Sequence, residues 1–184
     1  LIDAAGAGPG SACRAHRAQG ALVSSVDATR QAANLESLLT DITSLHGDIR
    51  RGQLVFTSSK TACVTCHEIG YVGGKLGPRL SGIGKIRTER DLLEAVGYPS
   101  ASFVRSYEPM PVVNKAGDDF SGVLGKDGAD EVVLATGPET EMRIARADIV
   151  EMRPGKLSVM PQGLDTQLSK QELADLVTFL KSMQ

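Results

Sequence analysis

With 184 residues, the chain has room for one domain with an ordinary core, or for one small domain carrying an extra module. A formal charge of −2, 41% hydrophobic residues, 4% aromatics and no tryptophan exclude the basic profile of a nucleic-acid binder and a polyanionic tail. No apolar run reaches the roughly 18 residues a membrane-spanning helix needs, so none is expected.

Residues 1–25 are rich in Ala, Gly and Ser and have no sustained period, which reads as a flexible lead-in. The chain starts at Leu1 without initiator methionine, basic region or apolar signal core, as expected of a mature product or an excised fragment. Cys13 leaves open a free thiol, an intermolecular disulfide or lipid attachment, although no apolar signal stretch precedes Ser11-Ala12-Cys13. From Asp27, a fitting N-cap, Leu35, Leu38, Leu39, Ile42 and Leu45 recur at helical spacing until Gly47, predicting an amphipathic helix with His46 at its end. Asp48 then caps a second helix from Ile49 to Phe56, in which Gly52 and Phe56 share a face.

The next stretch is Cys63-Val64-Thr65-Cys66-His67, the attachment pattern of a c-type haem. Two thiols two residues apart can each add to a vinyl group of one porphyrin, and the adjoining histidine can ligate the iron. A zinc site needs four ligands, and the only other cysteine lies fifty positions upstream without a partner. A thioredoxin-like pair belongs between a strand and a long helix, whereas this one follows a helical segment ending in Phe56 and precedes a glycine-rich loop. The expected cofactor is one haem c, bound through Cys63 and Cys66 with His67 on the metal. Haem attachment occurs outside the cytoplasm in bacteria, so a periplasmic or otherwise exported location is expected.

Residues 73–84 are too glycine-rich for a helix and suit backbone running against a flat ligand. Thr88 and Asp91 form a capping signal for a short helix that carries Leu92, Leu93 and Val96 and stops at Gly97 and Pro99. From 105 to 153, runs at Pro111–Asn114, Phe120–Leu124, Glu131–Thr136 and Glu141–Ala145 alternate with Gly-, Asp- and Pro-containing turns, closing with Ile149, Val150 and Met152. A meander or a five-stranded barrel-like insert is expected. The chain ends in a helix with a Ser169/Glu172 capping box and an apolar stripe of Leu173, Leu176, Val177 and Leu180, beside Phe179.

Five methionines compete for the position opposite His67. Met183 sits at the chain end and Met142 and Met152 fall inside the β pattern, which leaves Met110 and Met160, each followed by proline.

Residues 47–84, Ser158–Leu164 and the last helix together resemble the planctomycete-type haem-binding domain, a class I cytochrome c variant with a β insertion. The resemblance implies a mainly α, class I cytochrome c fold over 47–184. Its small β-rich insertion, 105–153, would separate the haem-attachment half from the half with the methionine ligand and C-terminal helix. Residues 1–46 would form the lead-in and amphipathic helix. It also implies that Gly52, Phe56, Leu176 and Phe179 form a close crossing of first and last helices, that the Pro78 carbonyl accepts a hydrogen bond from His67, and that Met160 is the axial thioether. The implied function is single-electron transfer by His67/Met160-ligated haem iron, as a periplasmic carrier or the electron-exit domain of a dehydrogenase and not as an enzyme by itself. The partners would be redox proteins, met at a rim carrying Lys75, Arg79, Lys85 and Arg87. Two other readings stay open: a peroxidase-like or gas-sensing haem with a labile sixth ligand, and an interaction module acting through the β insert.

Overall fold

The structure is a computed structural model that describes residues 29–102 and 104–184. Asp27 and Cys13 lie outside them. Seven helices are described: α1 (29–43), α2 (Ile49–Thr57), α3 (Cys63–Cys66), α4 (Ile83–Ile86), α5 (Glu89–Gly97), α6 (Leu164–Gln167) and α7 (Lys170–Ser182). Six strands lie between α5 and α6: β1 (Val112–Asn114), β2 (Asp119–Phe120), β3 (Val123–Asp127), β4 (Glu131–Gly137), β5 (Thr140–Ala145) and β6 (Ile149–Met152). No helix among the described residues is long and apolar enough to cross a membrane.

Helix accounts for 41% and strand for 19%, in two small antiparallel sheets, so the expected mainly α, class I cytochrome c fold is corrected. The reason lies in residues 105–153. They do not form one barrel-like or meandering insert but two three-stranded sheets, ordered β2-β1-β6 and β3-β4-β5, around a separate core of Val112, Val132, Leu134 and Ile144. The anticipated run Phe120–Leu124 breaks at Ser121-Gly122, so that Phe120 pairs with Val112 on one side and Val123 with Ala135 on the other. A Cβ on Gly122 would sit 2.5 Å from the Ala135 carbonyl oxygen, which explains a glycine at the switch.

The helical core gathers Leu35 and Ile42 of α1, Phe56 of α2, Leu92, Leu93 and Val96 of α5, and the stripe of α7. Ser169 and Glu172, like Thr88 and Asp91, complete reciprocal capping boxes, so α7 and α5 begin where the sequence places them. Helices α2 and α7 cross at Gly52, with the Phe56 and Phe179 rings 5.6 Å apart and tilted by 53°. Burying the Phe56 ring contributes roughly 1.5 to 3 kcal/mol.

One charge sits inside this crossing. Asp175 is 2% exposed, and its carboxylate accepts from Arg51 Nε (2.7 Å), Arg51 Nη2 (2.8 Å), the Asp48 amide (2.7 Å) and Gln171 Nε2 (2.9 Å). The Arg51 guanidinium holds this carboxyl below the usual range, outweighing the opposing effect of burial. A depressed folded pKa gives stability that is complete above the unfolded value, near 4, and is lost as pH falls through the folded value. Asp175→Asn is therefore expected to cost about 2 kcal/mol near pH 7. Urea midpoints for the two proteins should converge as the medium is acidified; a gap that stays constant with pH would refute the linkage.

Candidate haem-attachment site

The attachment motif forms a single helical turn. Ala62 enters it in the left-handed region (φ 48°), and the His67 amide closes it on the Cys63 carbonyl at 2.9 Å. Cys63 and Cys66 lie three apart, hence on one face, and both line a cavity of about 210 Å³. Burial pushes both thiols up, Cys63 against the opposing effect of a hydrogen bond with Thr61. Burial thus works against thiolate formation at both cysteines.

His67 follows as the C-cap. Its Nδ1 lies 2.8 Å from the Pro78 carbonyl oxygen, and because a carbonyl only accepts, Nδ1 carries the proton and Nε2 keeps its lone pair. Burial lowers the imidazole pKa despite the opposing pull of Pro78, so the ring is neutral at pH 7 and fit to bind a metal.

The glycine-rich loop owes its composition to this motif. A Cβ on Gly74 would meet the Thr65 carbonyl oxygen at 1.9 Å, and one on Gly77 would meet His67 Cε1 at 2.5 Å. The loop is stitched to the motif by Gly74 N to Val64 O (2.9 Å) and Gly77 N to Cys66 O (2.8 Å). At these two positions the close neighbour is the protein's own backbone or imidazole.

The far wall comes from residues distant in sequence. Met160 is half-buried against the helical core and is the one methionine that lines the cavity. Met110 packs instead on the core between the sheets, as does Met152, whose sulfur faces Arg146; Met142 is exposed; Met183 packs on the helical core outside the cavity. Phe56, Leu76, Leu80, Ile83, Leu92 and Leu176 make the lining mainly apolar. Cys63, Cys66, His67, Pro78 and Met160 thus meet around one space. His46 is exposed and outside it.

No protein-family model matches this chain, and no curated protein matches it.

The donor set suits a haem better than a bare ion. Among the described residues no cluster of three or more His, Cys, Asp or Glu could hold a metal ion. The cavity offers instead two thiols, one imidazole nitrogen and one thioether in apolar surroundings, a combination that matches a macrocycle bringing its own four nitrogens. Of the four cations assigned to a docking rim, Lys75 and Lys85 are exposed, Arg79 is engaged by Glu68 (3.2 Å), Ser81 and the Gly70 carbonyl, and Arg87 lines the cavity. Sequence reasoning missed two features: the Asp175–Arg51 pair, and the wall built by Pro99, Ser102, Val104 and Tyr107. A charged residue inside the apolar stripe of α7 was the available signal for the first, whereas the second segment carries none.

Proposed function

We propose that the protein carries one haem c and transfers single electrons between redox proteins. The convergence of Cys63, Cys66, the free Nε2 of His67 and the Met160 thioether on one apolar cavity supports this reading. Cys63 and Cys66 would hold the porphyrin through thioether bonds to its two vinyl groups, each S–H adding across one C=C so that nothing leaves and no oxidant is required. His67 would offer Nε2 to the iron, while the Pro78 carbonyl holds the ring's orientation and tautomer. Met160 would offer its thioether to the same iron, and the leucine-rich lining keeps the surroundings apolar. Haem iron, once bound, supplies the one-electron chemistry. With His67 and Met160 both holding the iron, the protein would work as a carrier or as the electron-exit part of a larger oxidoreductase. The attachment motif, the Gly77-Pro78 loop and the Met160 loop also carry the resemblance to the planctomycete-type haem-binding domain, which we propose for the site and not for the fold class. An exported location follows from where such attachment takes place.

Producing the full chain in a bacterial periplasm with the cytochrome c maturation proteins tests this. Mass spectrometry of the denatured product should give one tetrapyrrole adduct, absent from the double variant Cys63→Ser/Cys66→Ser. A matured chain without adduct would end the proposal.

A further inference from the structure

The two segments that join the helices to the sheets, described over residues 98–102 and 104–111 in one and 153–163 in the other, are fastened together at two levels. Next to the sheets, Gly155 N donates to the Pro109 carbonyl (2.7 Å) and Arg153 N to the Pro111 carbonyl (3.4 Å), extending the pairing of β1 with β6. Next to the cavity, Ser100 Oγ accepts from Ser158 N (3.0 Å) and from Gln162 Nε2 (3.2 Å). Ser158 Oγ in turn accepts from Met160 N at 3.1 Å. Residues 158–161 line the cavity from one segment, and Pro99, Ser102 and Val104 line it from the other.

We propose that this paired stalk is a clasp that holds the Met160 loop at the cavity, with Ser100 as its positioning residue. The inference rests on Met160 being the axial thioether. Between β6 and α6 the chain has no regular secondary structure, so residues 153–163 need other restraints to hold a side chain in place. Ser100 is a suitable anchor because it follows α5 through the buried Gly97 and Pro99, and α5 packs on the helical core. Its hydroxyl takes two donors from the Met160 loop, one on either side of the methionine. The sheets contribute through β1 and β6, whose pairing brings the ends of both segments together before the chain reaches the cavity. The β region thereby shortens the free length of the loop that carries the ligand.

The test uses the matured full-length protein. Ser100→Ala should speed amide hydrogen exchange at Ser158 about tenfold, the equivalent of the ~1.4 kcal/mol carried by one hydrogen bond whose donor is left unpaired. It should speed displacement of the thioether by added imidazole by a similar factor, and Ser100→Thr, which keeps the hydroxyl, should restore both rates. Ser158→Ala, which removes only the acceptor of the Met160 amide, should act in the same direction. Rates unchanged within twofold in both alanine variants would overturn the clasp. If the unaltered ferric protein has no sulfur-to-iron band, the axial reading of Met160 falls, and amide exchange at Ser158 alone decides whether Ser100 holds the loop.

Discussion

Met160→Ala is expected to abolish the near-infrared sulfur-to-iron charge-transfer band of the ferric holoprotein, whereas Met110→Ala should leave it intact. The two side chains are chemically alike and each precedes proline, so the difference comes from where the fold puts them. Met160 borders the cavity that Cys63, Cys66 and His67 also border. Met110 packs with Val112, Val132 and Leu134 between the sheets, and its amide donates to the Gly122 carbonyl at 2.7 Å. On the proposed function, removing the Met160 sulfur takes away one of the two protein ligands, so carbon monoxide should bind the reduced variant rapidly. The reduction potential should fall by a sizeable part of the roughly 0.8 V that axial ligands command. The structural cost should be small, about 1 kcal/mol, because Met160 is only half-buried. Electronic spectra and potentiometry of the two variants decide the matter. A band that survives Met160→Ala but disappears in Met110→Ala would transfer the ligand to the sheet core and dismantle the site as described.

What the sequence disclosed was what short-range chemistry encodes. The Cys63–His67 motif occupies five consecutive residues, and each capping box spans four, so Thr88, Asp91, Ser169 and Glu172 could be read without knowing what else is nearby. The crossing of α2 with α7 was expected from the resemblance; the residues themselves showed only that Gly52 and Phe56 share a face and that α7 presents one apolar stripe. The β region was legible as strands and illegible as sheets. Alternation marks Val132 and Leu134 as inward-facing, but nothing within the run Phe120–Leu124 tells that Phe120 belongs with Val112 and Val123 with Ala135. Pairing partners are a property of distant chain. The expectation of a mainly α fold failed for this reason, because it treated 105–153 as a minor insertion when those residues form two sheets with a core of their own. Polar contacts over long separations were equally hidden. Asp175 reaches Arg51 across 124 positions, and Ser100 reaches Ser158 across 58. Neither serine differs in sequence from a serine in any turn.

Gly52→Val is expected to cost about 3 kcal/mol or more, and even Gly52→Ala should destabilise the protein by about 2 kcal/mol. The sign is the informative part, because alanine ordinarily replaces glycine inside a helix with a gain of roughly 0.5 to 1 kcal/mol. Here a Cβ would stand 2.0 Å from the Asp175 carbonyl oxygen and 2.6 Å from both the Asp175 carbonyl carbon and Phe179 Cβ. Two of those atoms belong to the α7 backbone, so no rotamer change relieves the contact and the helices must separate. Separation would loosen the Phe56–Phe179 pair and stretch the Arg51–Asp175 bridge, whose oxygens now sit 2.7 and 2.8 Å from the guanidinium. It would also reach the cavity, since Phe56, Leu176 and Leu180 line it, so these variants should yield less haem-loaded protein as well as less stable protein. Gly82→Ala is the control: a Cβ there meets nothing within 4 Å, and the change should stay within about 0.5 kcal/mol. Urea denaturation of the full chain, compared across Gly52→Ala, Gly52→Val and Gly82→Ala, checks the order. If Gly52→Ala proves as stable as the unaltered protein, α2 and α7 do not approach this closely, and the wall of the cavity that both helices build must be redrawn.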